Sequence, residues 1–205
     1  MATFNPRAEL LRAQLDSIRS QAGVEWKCFV SDDASGEREF AELASQVAGD
    51  DRFVLSRSAE RLGFYRNFER ALDMIEGDFE FVALSDQDDV WHPDKLDRLL
   101  GGIGDSQLIY SDQRVVAADG SIISSTYWTD RRNNHTDLTS LLIANTITGA
   151  ASLFRRDLLD RALPFPAVPG EQYHDHWLGL VALSTGDVSY IDAPLYDYVQ
   201  HDDAV

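Results

Sequence analysis

Apolar residues recur along the first half of this chain at two alternating periods. Leu11, Leu15, Ile18 and Ala22 share one face at helical spacing, and Gly23 closes that helix. Asn5-Pro6 reads as its start, with Asn5 as N-cap and Pro6 at the first helical position. A short apolar run over 26–31 then predicts a buried strand that stops at the polar turn Asp32-Asp33-Ala34-Ser35-Gly36. Phe40, Leu43, Ala44 and Val47 give the next helix, 53–55 a strand, and Phe68, Ala71, Leu72 and Ile75 a third helix closed by Gly77. A strand over 79–85 follows. Residues 1–5 supply only the end of a further strand, which reads as clipped. Alternation of this kind predicts an α/β fold, a Rossmann-like three-layer sandwich with a mostly parallel central sheet and helices on both faces. Ligands then gather at the carboxyl ends of the strands.

After a helix over 93–100 and a strand over 107–110 the rhythm changes. Val115-Val116 and Ile122-Ile123 flank Asp119-Gly120, a hairpin signal. A strand over 149–154, a short helix over 157–162 and a Pro-rich loop over 164–170 lead to Tyr173-His174-Asp175-His176-Trp177. A helix through Leu178, Val181 and Ala182 stops at Gly186, and a strand over 188–191 follows. The pattern predicts one domain over 1–205, with a nucleotide-type half (1–112) and a mixed half (113–205), cut from a longer protein.

Composition narrows the partners. The formal net charge is −17, which argues against a nucleic-acid footprint, because such surfaces need clustered Lys and Arg. The single cysteine, Cys28, has no intrachain partner and sits in an apolar stretch, so it reads as a buried structural thiol. No apolar run reaches the roughly 18 residues of a membrane span and no secretory signal opens the chain, which reads as cytoplasmic.

The chemistry concentrates in SDQDDVWHPDKL, residues 85–96, where Asp86, Asp88 and Asp89 crowd the end of a strand. Carboxylates this close repel one another unless a cation or solvent relieves them. Hard oxygen ligands suit Mg²⁺ or Mn²⁺, which need only one or two carboxylates. A solvated turn with Asp89 capping the next helix is the plainer alternative. Asp33 can accept hydrogen bonds from a nucleobase or ribose, or simply make a turn. Thr3, Phe4 and Asn5 can wall the same pocket. Arg61 reads equally as a phosphate ligand or a surface arginine. Asp175, between two histidines at a helix start, reads as a base or as an N-cap. His174 and His176 do not share a face, which disfavours Zn²⁺, and Trp91, Trp128 and Trp177 read as core or as sugar-stacking platforms.

With these segments located, the chain resembles inverting glycosyltransferases of family 2, which have the GT-A fold, and among them the rhamnosyltransferase-like enzymes of bacterial surface-polysaccharide assembly. The resemblance is carried by ATFNPRAELLRAQLDSIRSQ, VSDDAS, RLGFYRNFERAL, LSDQDDVWHPDKL, TGAASLFRR, YHDHW and PLYDYVQH, in that order. It implies a nucleotide-sugar donor, UDP- or dTDP-linked, near Thr3, Phe4, Asn5, Asp33, Arg61 and Asp86. It also implies Asp88 and His201 as ligands of Mg²⁺ or Mn²⁺, and Asp175 as the base that takes the acceptor hydroxyl's proton. The acceptor would be a carbohydrate or lipid-linked glycan, which places the protein in the cytoplasm or peripherally at the inner face of the membrane. Arg61 stands where the family commonly has Asn, and the absence of QxxRW suggests transfer of single sugars. Two other readings stay open: a non-catalytic nucleotide- or glycan-binding module, and a sugar nucleotidyltransferase. The latter wants a glycine-rich basic loop, which Asn5-Pro6-Arg7-Ala8-Glu9 is not. Donor sugar, base, acceptor and oligomeric state depend on loops such as 126–137.

Overall fold

The computed structural model describes residues 1–129, 133–167 and 173–201. Parts of the loops over 126–137 and 164–170 therefore lie outside the described residues. The first half follows the predicted alternation: β1 (Ala2–Thr3), α1 (Ala8–Arg19), β2 (Cys28–Asp32), α2 (Glu37–Val47), β3 (Phe53–Arg57), α3 (Phe64–Asp73) and β4 (Phe81–Ala83). β1, β2 and β3 form a parallel sheet in which Ala2 pairs with Ser31 and Phe29 with Val54. On the other side of β1, the Ala2 N–H donates to the Ser85 carbonyl at 3.3 Å and so ties in the end of β4. The ends of β1, β2 and β4 meet at one edge: the Asp33 N–H donates to the Thr3 carbonyl at 2.8 Å, and Gln87 bonds the backbone of Phe4.

The second half contains β5 (Val90–Trp91), α4 (Lys95–Ile103), β6 (Leu108–Ala117), β7 (Ile122–Ser124), α5 (Leu138–Ile143), β8 (Ser152–Arg155), α6 (Leu159–Ala162), α7 (His174–Thr185) and β9 (Val188–Gln200). Its sheet runs β4-β8-β6-β9-β5, with β7 paired to β6. β6 and β9 are parallel, whereas β8 is antiparallel to both its neighbours and β5 to β9. A parallel sheet grading into a mixed one is the architecture expected from the change of rhythm. The core fills both halves, with Leu11, Leu15, Leu43, Leu99, Phe154 and Tyr196 sealed from solvent.

Several local expectations are corrected. Asn5 is not an N-cap, because α1 begins at Ala8. It adopts φ 42°, left-handed backbone that Asn tolerates better than most residues. Its Oδ1 accepts from the Gly36 N–H and its own N–H donates to Ser35 Oγ, both at 2.8 Å, so it staples two loops together. Asp89 does not cap α4, which follows Asp94; it is buried instead. The first three residues of the strand expected over 149–154 form a 3-10 turn, Gly149–Ala151. The strand expected over 188–191 runs on to Gln200. Trp91 is core, and Trp177 packs against the core while its indole N–H donates to the Ala162 carbonyl at 2.9 Å. Burial pushes the Cys28 thiol up, which suits an inert role.

Candidate active site

A cavity of about 530 Å³ opens where the strand ends meet, and both halves of the chain line it. Thr3, Phe4, Asp33 and Arg61 line one part, Asp86 and Asp88 another, and Asp175 a third. Asn5 is exposed and does not line it.

The residues expected at the donor side hold one another. The Gln87 side chain accepts from the Phe4 N–H at 2.8 Å and donates to the Phe4 carbonyl at 3.2 Å. Arg61 lies over the Phe4 ring, 4.0 Å from its centroid, a cation–π stack. The Asp33 carboxylate accepts from the Leu62 N–H at 2.6 Å and the Gly63 N–H at 2.9 Å. It thereby clamps the loop that carries Arg61 and enters α3 through Gly63, whose φ of 83° is left-handed. These bonds reach a loop remote in sequence, whereas the bonds of the local turn are made by Asp32. Behind it Asp32, fully buried, accepts from the Ser35 N–H at 3.0 Å and from Thr3 Oγ1 at 3.2 Å.

Asp88 meets His201 across the chain, Oδ2 to Nε2 at 2.9 Å, because β9 runs on far enough to deliver His201 beside the carboxylate turn. Asp86 is pushed up to about 7, first by burial and then by the nearby carboxylates of Asp88 and Asp175. That is an excess of negative charge which a cation would relieve. Behind the turn Lys95, fully buried, donates to the Ala150 carbonyl and sits 3.6 Å above the Trp91 ring. Burial drives its ammonium well below the usual lysine range, and the Asp89 and Asp86 charges oppose that shift. Among the described residues no three His, Cys, Asp or Glu gather into a metal cage. Asp88 Oδ2 and His201 Nε2 are two adjacent donor atoms of the kind that would fit an ion keeping phosphate and water in its shell, as Mg²⁺ and Mn²⁺ do.

Asp175 is also held firmly. Its Oδ1 accepts from Asn145 Nδ2 at 3.1 Å and from the His176 N–H at 2.6 Å, and its Oδ2 accepts from the Gly149 N–H at 3.1 Å. Tyr173 is the N-cap residue of α7, and Asp175 lies inside the helix. Gly149 is needed there, since a Cβ would come within 2.7 Å of His174 Nε2. His174 stacks on Phe68 at 3.6 Å between centroids, and burial lowers it to about 4. His176 points elsewhere, its Nε2 2.7 Å from the Leu141 carbonyl oxygen, so the two histidines do not form a metal pair. Sequence reasoning missed Asn145 and Gln87. Gln87, lodged between two aspartates, was within sight of the motif, whereas nothing in the local pattern marks Asn145.

The model of the family described as "Glycosyl transferase family 2" matches residues 1–163. The chain belongs to glycosyl transferase family 2. Asp175 and His201 lie beyond the matched residues, so their place in the site rests on the geometry above. An uncharacterised protein of Sinorhizobium fredii, y4gI, is 27% identical over 122 residues, which cover 58% of this chain and 13% of that protein. Among solved structures, S. aureus TarS 1-349 in complex with UDP-GlcNAc superposes with a TM-score of 0.74 at 17% identity over 99% of this chain. The mannosyltransferase PcManGT from Pyrobaculum calidifontis, in complex with GDP-Man and Mn²⁺, gives 0.69 at 18% identity, again over 99%. The chain spans 58% and 56% of those two proteins. At such low identity the likeness bears on the fold, and the family 2 chain adopts the GT-A architecture of these glycosyltransferases.

Proposed function

We propose that this chain is the transferase core of a metal-dependent inverting glycosyltransferase, which moves one sugar from a UDP- or dTDP-linked donor to a glycan or lipid-linked glycan, as rhamnosyltransferase-like family 2 enzymes do. The observation that carries this reading is the meeting, in one cavity, of the Asp88–His201 pair with a carboxylate, Asp175, fixed by three hydrogen bonds. Asp88 and His201 would hold Mg²⁺ or Mn²⁺, which supplies positive charge to a departing nucleoside diphosphate. Phe4 offers an aromatic face and Arg61 a cation for the nucleotide, and Asp33 fixes the loop that presents Arg61. Asp86 would face the donor between these two regions.

Inversion requires a base on the face of the sugar opposite the leaving group. Asp175 takes the acceptor hydroxyl's proton as the new bond forms at the anomeric carbon and the bond to the diphosphate breaks. Its hydrogen bonds from Asn145 and Gly149 fix its orientation before the acceptor arrives. Trp128 and Tyr127, which line the same cavity, offer apolar faces to a sugar. A thermal-shift panel of UDP- and dTDP-sugars with and without Mn²⁺ tests the donor half, because a ligand of the folded state raises Tm. Donor turnover measured in Asp88→Ala and Asp175→Asn tests the rest. Undiminished turnover in both variants would remove the assignment of roles, and nucleotide binding with no turnover in the unaltered chain would favour a binding module.

A further inference from the structure

Among the large apolar side chains left in solvent, Phe64, Tyr127 and Tyr173 line the cavity that holds Asp175. Exposed apolar surface gathered at one place marks a contact. Phe64 is 41% exposed and Tyr173 46%, and their rings lie 5.5 Å apart between centroids, tilted by 40°. The pair is the outer step of a seam of rings between α3 and α7. Phe68, one turn on from Phe64, stacks on His174, the residue after Tyr173, and both are buried. The entry to α3 is fixed as well, since Asp33 holds the Leu62 and Gly63 N–H groups. Half-exposed rings held by packed neighbours lose little freedom when a ligand covers them.

The lining around the pair selects among ligands. Tyr173 stands two residues before Asp175, and Asn145, Thr146 and Thr148 bring uncharged hydrogen-bonding groups to the same cavity. Asn145 bonds Asp175 directly. Among the described residues of the lining, Arg61 is the only Lys or Arg, and it is stacked on Phe4. An anionic ligand therefore finds its cation at Phe4. Aromatic faces beside amide, hydroxyl and carboxylate groups suit a neutral polyol instead, whose hydroxyls meet the polar groups while its C–H face rests on the electron-rich rings.

We propose that Phe64 and Tyr173 are the platform for the acceptor's sugar ring: the pyranose that carries the accepting hydroxyl packs its C–H face on them while that hydroxyl reaches Asp175. The acceptor is then read as a carbohydrate ring and not through a lipid chain. This inference rests on the reading of Asp175 as the acceptor's base and deepens it by assigning the residues that select the acceptor.

The test titrates methyl α-L-rhamnopyranoside, methyl β-D-glucopyranoside and methyl α-D-mannopyranoside into the 205-residue chain and follows the Phe64 and Tyr173 ring signals by NMR. At least one pyranoside should shift both rings, and the shift should persist in saturating UDP and in hexanol. Phe64→Ala and Tyr173→Ala should each weaken that sugar about three- to tenfold and leave UDP affinity unchanged, whereas Tyr173→Phe, which keeps the ring, should bind as the original does. Silence of both rings toward all three sugars overturns the proposal. Displacement by UDP would make the pair a nucleotide platform, displacement by hexanol a site for an apolar chain, and either result overturns it too. So does a Tyr173→Phe variant as weak as Tyr173→Ala. Binding is read here without metal or turnover, which keeps the two readings apart. A chain that binds the sugar but transfers none keeps the platform and loses the catalytic assignment, while one that turns over donor with unresponsive rings loses only the platform.

Discussion

Asp175 shows how much a single residue's role depends on partners remote in sequence. Its two outside donors, Asn145 and Gly149, lie 30 and 26 residues away. General-base catalysis contributes about 10²–10⁴ in rate, so Asp175→Asn should lower kcat by that range and leave donor affinity nearly unchanged. Asn145→Ala should cost less, about tenfold in kcat, because the Gly149 and His176 N–H groups still hold the carboxylate; steady-state kinetics with Tm as a folding control separates the two. His201→Ala should weaken Mn²⁺ binding about tenfold or more by titration calorimetry. Asp175 is legible in the sequence as base or cap; Tyr173 takes the N-cap position of α7, and the base role is the one proposed above. Asn145 was not legible, because a side chain reaching across the fold leaves no mark on periodicity.

Among the elements, β9 ties the second sheet to the carboxylate turn at Asp88. It pairs with β6 along most of its length and with β5 at Val90–Asp197 and Trp91–Tyr196, and it leads to His201. Arg114 of β6 grips Asp197 of β9 through two bonds of 2.7 and 2.8 Å, and His92 Nε2 lies 2.9 Å from the same carboxylate. Arg114→Met should cost only about 1 kcal/mol, since the pair is partly exposed, yet it should also weaken Mn²⁺ binding by loosening the strand that presents His201. Unchanged metal affinity in a measurably destabilised variant would separate β9 from the site. The sequence signals only the first residues of β9, because Asp192-Ala193-Pro194 reads as a stop. The strand survives that stop through register shifts against β6, where Asp112 pairs with Pro194, and irregular pairing of this kind is a tertiary property. The helices and the parallel strands of the first half were legible because each buries one stripe or run against the core, and burial writes itself into spacing.

For the whole molecule, the balance of buried charge sets the response to acid. His174 titrates near 6.5 when unfolded and is lowered to about 4 in the fold. Its contribution is therefore complete above pH 6.5 and is lost as pH falls from 6.5 to 4, because the unfolded chain binds the proton first. The loss is on the order of 3 kcal/mol. Asp86 acts in the opposite sense: raised from 3.8 to about 7, it burdens the fold above pH 7, and that burden lifts as pH falls toward 3.8. The two slopes oppose one another, so the acid branch of the stability curve is flatter than either group alone would make it. His174→Leu isolates one of them. Neither ring nitrogen of His174 has a hydrogen-bond partner among the described residues, so the change leaves no buried donor or acceptor stranded. Relative to the original chain, the variant should gain about 5–10 °C in Tm between pH 6.5 and pH 4. Subtracting the two melting curves removes every other carboxylate of this strongly acidic protein from the comparison. A difference that stays constant across that window would mean that His174 is not held neutral against Phe68.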